Sequence, residues 1–186
     1  MSNEAKSNIN IKEVKVVLIG DSGVGKTSII QQFSKNEFNP YSNPSISSQF
    51  STKEFKIPDS KITIKYDLWD TAGQEIYRSL AKIFFKDAKI IILVYEIGNK
   101  NSFESLQNYW YQEVISNSSS NPILAVVGNK NDLYDIPETV DEKKANDWAD
   151  KIGAIFMTIS AKNDIGIDLL FEKVGKKFLN PPNEFK

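Results

Sequence analysis

One stretch constrains the fold more than any other: residues 14–27, VKVVLIGDSGVGKT. Residues 14–20 form a nearly continuous apolar run rich in β-branched side chains, as in a strand buried on both faces of a parallel sheet. Gly20-Asp21-Ser22-Gly23-Val24-Gly25-Lys26-Thr27 follows at once, and residues 26–34 carry a helical pattern. That octapeptide, placed between a strand and a helix, matches a phosphate-binding loop. Its glycines let consecutive N–H groups converge on phosphates at a helix N-terminus. Asp21 through Ser28 would line the loop, with Lys26 bringing a point charge to the outer phosphates and Thr27 offering a hydroxyl to Mg²⁺. The bland alternative is an ordinary glycine-rich turn. A dinucleotide fingerprint fails, because Ser22 stands where its second glycine belongs.

The rest of the chain alternates in kind. Residues 51–57 and 62–69 alternate with period two around Pro58-Asp59-Ser60, a turn signal. Helical segments are expected at 75–87, 102–115 (capped at Ser102), 140–152 and 165–179, with strands at 90–95, 123–128 and 154–159. The expectation is α/β: a six-stranded, mainly parallel sheet flanked by about five helices, with one antiparallel hairpin partner. Residues 1–11 and 180–186 are polar or proline-containing flanks around a single domain at 12–179. Nothing repeats internally.

Composition narrows the chemistry. The 186 residues hold 23 basic and 24 acidic side chains, so no global field draws the chain to nucleic acid. Without cysteine or histidine there are no disulfides, thiolate or imidazole metal ligands, or histidine triads. Arg78 is the only arginine. No apolar run is long enough for a signal peptide or a membrane span, so a cytoplasmic location is expected.

Asn129-Lys130-Asn131-Asp132 decides between bases. A carboxylate after a strand can accept two hydrogen bonds from N1–H and the 2-amino group of guanine; adenine offers no such pair. The Lys130 stem can lie against the ring, and Ser160-Ala161-Lys162 would add a backbone N–H to guanine O6. Residues 69–75 (WDTAGQE) end another strand. Asp70 sits where a carboxylate would hold Mg²⁺ through water, the Gly73 N–H where it can sense a γ-phosphate, and Gln74 where it can orient an attacking water.

Together these motifs make the span from about residue 12 to 179 resemble a small GTPase of the Ras superfamily, and within it the Rab family. The Rab-like segments are 46–50 (ISSQF), 65–69 (KYDLW), 76–81 (IYRSLA), 84–88 (FFKDA) and 93–98 (LVYEIG). Arg78-Ser79-Leu80 is most similar to the early-endosomal subgroup. The resemblance implies a G domain that binds GTP or GDP with Mg²⁺, hydrolyses GTP slowly and switches vesicle traffic. It also implies an exchange factor, an activating protein supplying an arginine in trans, and effectors that read Phe50, Trp69 and Phe84. The alternative for those three aromatics is core packing. Phe38 would meet guanine edgewise, unless it too is a core aromatic.

Two features depart from the family. Ser45 stands where the family places a switch threonine; it keeps the hydroxyl for Mg²⁺ but lacks the stiffening methyl. The family's prenylated cysteines are missing, and the expectation is a chain cut short of a lipidated tail, which would be its only route to the cytosolic face of endomembranes. A monomer is expected, and no nucleic-acid partner. Two other readings are a Ras- or Ran-type switch and a nucleotide-binding scaffold with negligible hydrolysis; the guanine-reading tetrapeptide and the length disfavour a P-loop ATPase.

Overall fold

Strand β1 (Asn10–Ile19) forms because its apolar run has neighbours on both sides. In the computed structural model, which describes residues 10–40, 49–71, 81–118, 121–133 and 139–181, β1 lies parallel to β3 (Ile62–Asp70) and to β4 (Ile90–Glu96). Beyond β4 come β5 (Ile123–Asn129) and β6 (Ile155–Thr158), also parallel. β2 (Gln49–Lys56) pairs antiparallel with β3 at the other edge, giving the order β2-β3-β1-β4-β5-β6. The α/β expectation holds, antiparallel hairpin included. β1 starts earlier than its apolar run, since Asn10 and Ile11 pair with Ile62 and Thr63 and extend the ladder into the expected flank.

Helices cover both faces. α1 (Lys26–Lys35) and α6 (Ile167–Leu179) bury Ile29, Ile30, Phe33, Leu170, Phe171 and Val174 against one face. Phe33 and Phe171 stack there, with ring centroids 3.6 Å apart. The Tyr66 hydroxyl donates to the Phe171 carbonyl at 2.7 Å, and burial raises its pKa. On the other face lie α2 (Ala81–Phe85), α3 (Lys100–Ser105), α4 (Tyr111–Asn117) and α5 (Glu142–Lys151), packing Phe85, Phe103, Val114, Ala145 and Ala149. Of the expected helix at 75–87, residues 75–80 lie outside the described residues; 81–85 are helical.

Two local expectations are corrected. The helix expected from 102 begins at Lys100, because the Asn99 side chain accepts from the Ser102 N–H and makes Asn99 the N-cap. Ser102 is buried inside the first turn, where its hydroxyl donates to the Asn99 carbonyl at 2.7 Å. Nor is the helix regular. Between α3 and α4 runs a π-helical turn, Leu106–Trp110, closed by the Tyr111 N–H donating to the Leu106 carbonyl. One extra residue is absorbed there, rotating everything beyond it around the helix axis. A period of 3.6 read across the segment conceals this. Further on, α5 starts after Asp141, whose carboxylate accepts from the Lys143 N–H at 2.9 Å.

Candidate functional site

The carboxyl ends of β1, β3, β4 and β5 share one edge of the sheet, and the strand order reverses at β1. In open α/β sheets ligands gather at that edge. The glycine-rich loop leaves β1 there and enters α1 through Gly25, which has a left-handed φ of 96°. A Cβ on Gly25 would collide with the Asn129 side-chain nitrogen, so the position is closed to larger residues twice over. No side chain caps α1, which leaves its first amides facing the loop. Ser22 and Gly23 are exposed, whereas Val24 is buried and anchors the loop in the core.

Lys26 is only 4 % exposed, and its ammonium donates to the Gly20 and Asp21 carbonyls at 2.8 Å each. Burial lowers its pKa to about 8, an effect partly offset by Asp70 and Asp21. Thr27, in the first turn of α1, donates its hydroxyl to the buried Asp70 carboxylate at 2.5 Å. β3 carries Asp70 to this point through the register Leu18↔Asp70. Just beyond, the Thr71 hydroxyl donates to the Leu18 carbonyl at 2.6 Å and pins the strand exit. Hydroxyl and carboxylate together offer hard oxygen donors of the kind that suits Mg²⁺.

A second cluster lies at the ends of β5 and β6. Asn129 is buried and braces three segments: its Nδ2 donates to the Val24 carbonyl at 2.9 Å, and its Oδ1 accepts from the Ala161 N–H at 3.1 Å. The Ala161 N–H is thus engaged by the protein. Asp132 accepts from the Ser160 hydroxyl at 2.6 Å, and Lys162 lies 3.7 Å from its other oxygen. Its carboxylate is therefore aimed before any ligand arrives. Lys130 (φ 65°) ion-pairs with Glu96 at 2.7 Å.

Sequence reasoning missed Glu96, Trp110 and the bracing role of Val24. Glu96 was open to discovery, because parallel β4 and β5 end in register, with Glu96 opposite Asn129. Trp110 was not: it reaches the loop from the π-helical turn, donating its indole N–H to Asp21 Oδ1 at 2.8 Å. Phe38, just past α1, is half-buried and belongs to neither core. Phe50, Trp69 and Phe84 form a contiguous patch, with centroids 5.2 and 6.3 Å apart and Phe50 54 % exposed. Lys15 lies 4.9 Å from the Trp69 ring centre and donates to the Lys86 carbonyl, tying the end of α2 to the sheet. Ser45, Gly73 and Gln74 lie outside the described residues.

A phosphate-loop α/β domain with a braced second cluster at the same sheet edge is the architecture of a nucleotide-binding switch. The chain belongs to the Ras family, whose sequence profile it matches over residues 15–180. It is 40 % identical to Ras-related protein Rab-22A of Canis lupus familiaris over 177 residues, covering 93 % of this chain and 89 % of that protein. To Ras-related protein Rab-31 of Mus musculus it is also 40 % identical, over 92 % of this chain and 85 % of the relative. These relatives bear out the assignment to Rab-type small GTPases, early-endosomal subgroup. It is thus a GTPase of vesicle traffic, binding guanine nucleotide and served by exchange factors, activating proteins and effectors. Among the described residues no helix is long and apolar enough to cross a membrane.

Proposed function

We propose that residues 12–179 form the G domain, between flanks 1–11 and 180–186, and that its nucleotide lies along the sheet edge described above. The observation that carries this reading is the pairing of Lys26 and Thr27–Asp70 at one end of that edge with the Ser160-anchored Asp132 at the other. Residues 21–28 cradle the phosphates. Asp132 accepts from guanine, Lys130 lies along the ring, and Asn129, Ser160, Ala161 and Lys162 hold the base-reading segments together. Phe38 closes the pocket at the guanine edge.

The Thr27 hydroxyl, and the Asp70 carboxylate through water, would hold Mg²⁺, joined by Ser45 in the triphosphate state. When bound, the ion neutralises charge on the phosphate oxygens. Lys26 adds a fixed cation in a water-poor site, where electrostatic stabilisation is strongest. Gln74 orients the attacking water, and the Gly73 N–H and Ser45 tie residues 39–50 and 73–83 to the γ-phosphate. Hydrolysis releases both segments. Effectors read Phe50, Trp69 and Phe84, the activating protein brings the arginine, and the monomer acts at the cytosolic face of endomembranes without a nucleic-acid partner.

The test is displacement of a fluorescent GDP derivative from purified protein in the presence of Mg²⁺. GTP should displace it at concentrations at least about a hundredfold below ATP, since adenine offers Asp132 no matching pair of donors. Equal competition by ATP would overturn the reading.

A further inference from the structure

An aspartate in a phosphate loop is an electrostatic liability. Asp21 is the second residue of the octapeptide, and its carboxylate shares the loop with amides that face the phosphates. Like charges a few ångströms apart repel even at a partly wet site. Here the carboxylate is held: Trp110 donates its indole N–H to Asp21 Oδ1 at 2.8 Å, across 89 residues of sequence. The Asp21 carbonyl is held as well, by the Lys26 ammonium at 2.8 Å. Trp110 gains its reach from the π-helical turn, whose closing bond runs from the Tyr111 N–H to the Leu106 carbonyl. Such turns recur at functional sites because they re-aim a side chain that a regular helix would point elsewhere.

We propose that Trp110 is a positioning residue for the phosphate loop: its indole N–H keeps the Asp21 carboxylate turned away from the phosphates and so sets the preference for nucleoside triphosphate over diphosphate. The proposal rests on the nucleotide site described above. A triphosphate carries more negative charge than a diphosphate, so a released carboxylate penalises it more.

The test compares affinities for GDP and for a non-hydrolysable GTP analogue in Mg²⁺. Trp110→Phe keeps the ring volume and loses the donor. It should lower the affinity for the analogue relative to GDP by about three- to tenfold, as expected for one unit charge moved by a few ångströms at a partly wet site. Asp21→Ala in the same protein should restore the ratio, a rescue that a merely structural role for Trp110 would not produce. An unchanged ratio, or a loss that Asp21→Ala leaves in place, would overturn the clamp. An unmodified protein that binds no guanine nucleotide would overturn the site and the clamp together. Independently of whether Trp110→Phe folds, one of the three tryptophan indole N–H signals of the unmodified protein should move in the Asp21→Ala variant. If none moves, the contact does not exist in solution.

Discussion

At the scale of single residues, the site depends on two charges held in advance. Asp132 is 12 % exposed and fixed by Ser160 and Lys162. Asp132→Asn presents an amide whose donor–acceptor pattern no longer matches guanine. Guanine-nucleotide affinity should fall by about 1.5–3 kcal/mol, the worth of hydrogen bonds to a charged group, and xanthine nucleotide should gain. Competition binding with the two bases checks this. Lys26 sets a pH dependence. In the free protein its pKa is lowered to about 8, whereas phosphates favour the charged form. Above that pH, binding must take up a proton, so affinity should fall from pH 8 to 10 by up to about tenfold per unit. Folding stability moves the other way: an unfolded lysine keeps its proton to 10.5, so the burial cost disappears as the pH rises through this window. Lys26→Arg stays charged throughout and should flatten the lysine contribution to the binding slope. An arginine variant with the same slope would show that another group titrates.

At the scale of elements, packing overrides local preference. Gly175 lies inside α6, where glycine is ordinarily about 1 kcal/mol worse than alanine. Yet a Cβ there would run into the Tyr66 hydroxyl, itself fixed by Phe171, and crowd Ile64 and Ile57. Overpacking of this kind costs about 1–3 kcal/mol and exceeds the propensity gain. Gly175→Ala should therefore destabilise the protein in a denaturant melt; a stabilised variant would mean that α6 moves away from the sheet easily. The segment from Lys100 to Asn117 makes a related point. Its apolar spacing announces a helix, but the Asn99 cap and the π-helical turn depend on what surrounds it: Ser102 is drawn into the core, and Trp110 is bonded to the loop.

At the scale of the whole molecule, the proposed mechanism divides catalysis between this chain and an activating partner. Arg78, the only arginine, follows Gln74 in sequence. An arginine inserted from a partner raises phosphoryl-transfer rates by ~10³–10⁵, and a lysine lacks the planar fork that spans the transferring oxygens. Intrinsic single-turnover hydrolysis should therefore be slow. Gln74→Leu should slow it further, whereas Arg78→Ala should leave it within about twofold. A loss of a hundredfold or more on Arg78→Ala, approaching the worth of an inserted arginine, would place the arginine in cis and remove the need for a partner to supply it.

The sequence by itself determined the layer architecture and the main motifs. β-branched runs specify buried parallel strands, and the glycine-rich loop and the tetrapeptide 129–132 are each contiguous in the chain, so the chemistry proposed for them can be read from spacing alone. The β2–β3 hairpin was legible for the same local reason, from its alternation around Pro58-Asp59-Ser60. What only the tertiary structure decided is every contact made across the sheet edge. Asn129 bracing Val24 and Ala161, Ser160 aiming Asp132, Glu96 holding Lys130 and Trp110 reaching Asp21 all join segments that lie far apart in sequence. Such pairs leave no periodic trace, because their geometry is set by parallel strands ending at a common edge and by one residue of helical excess. A side chain's identity states what it can bond to, and only the packed sheet brings that partner within 3 Å.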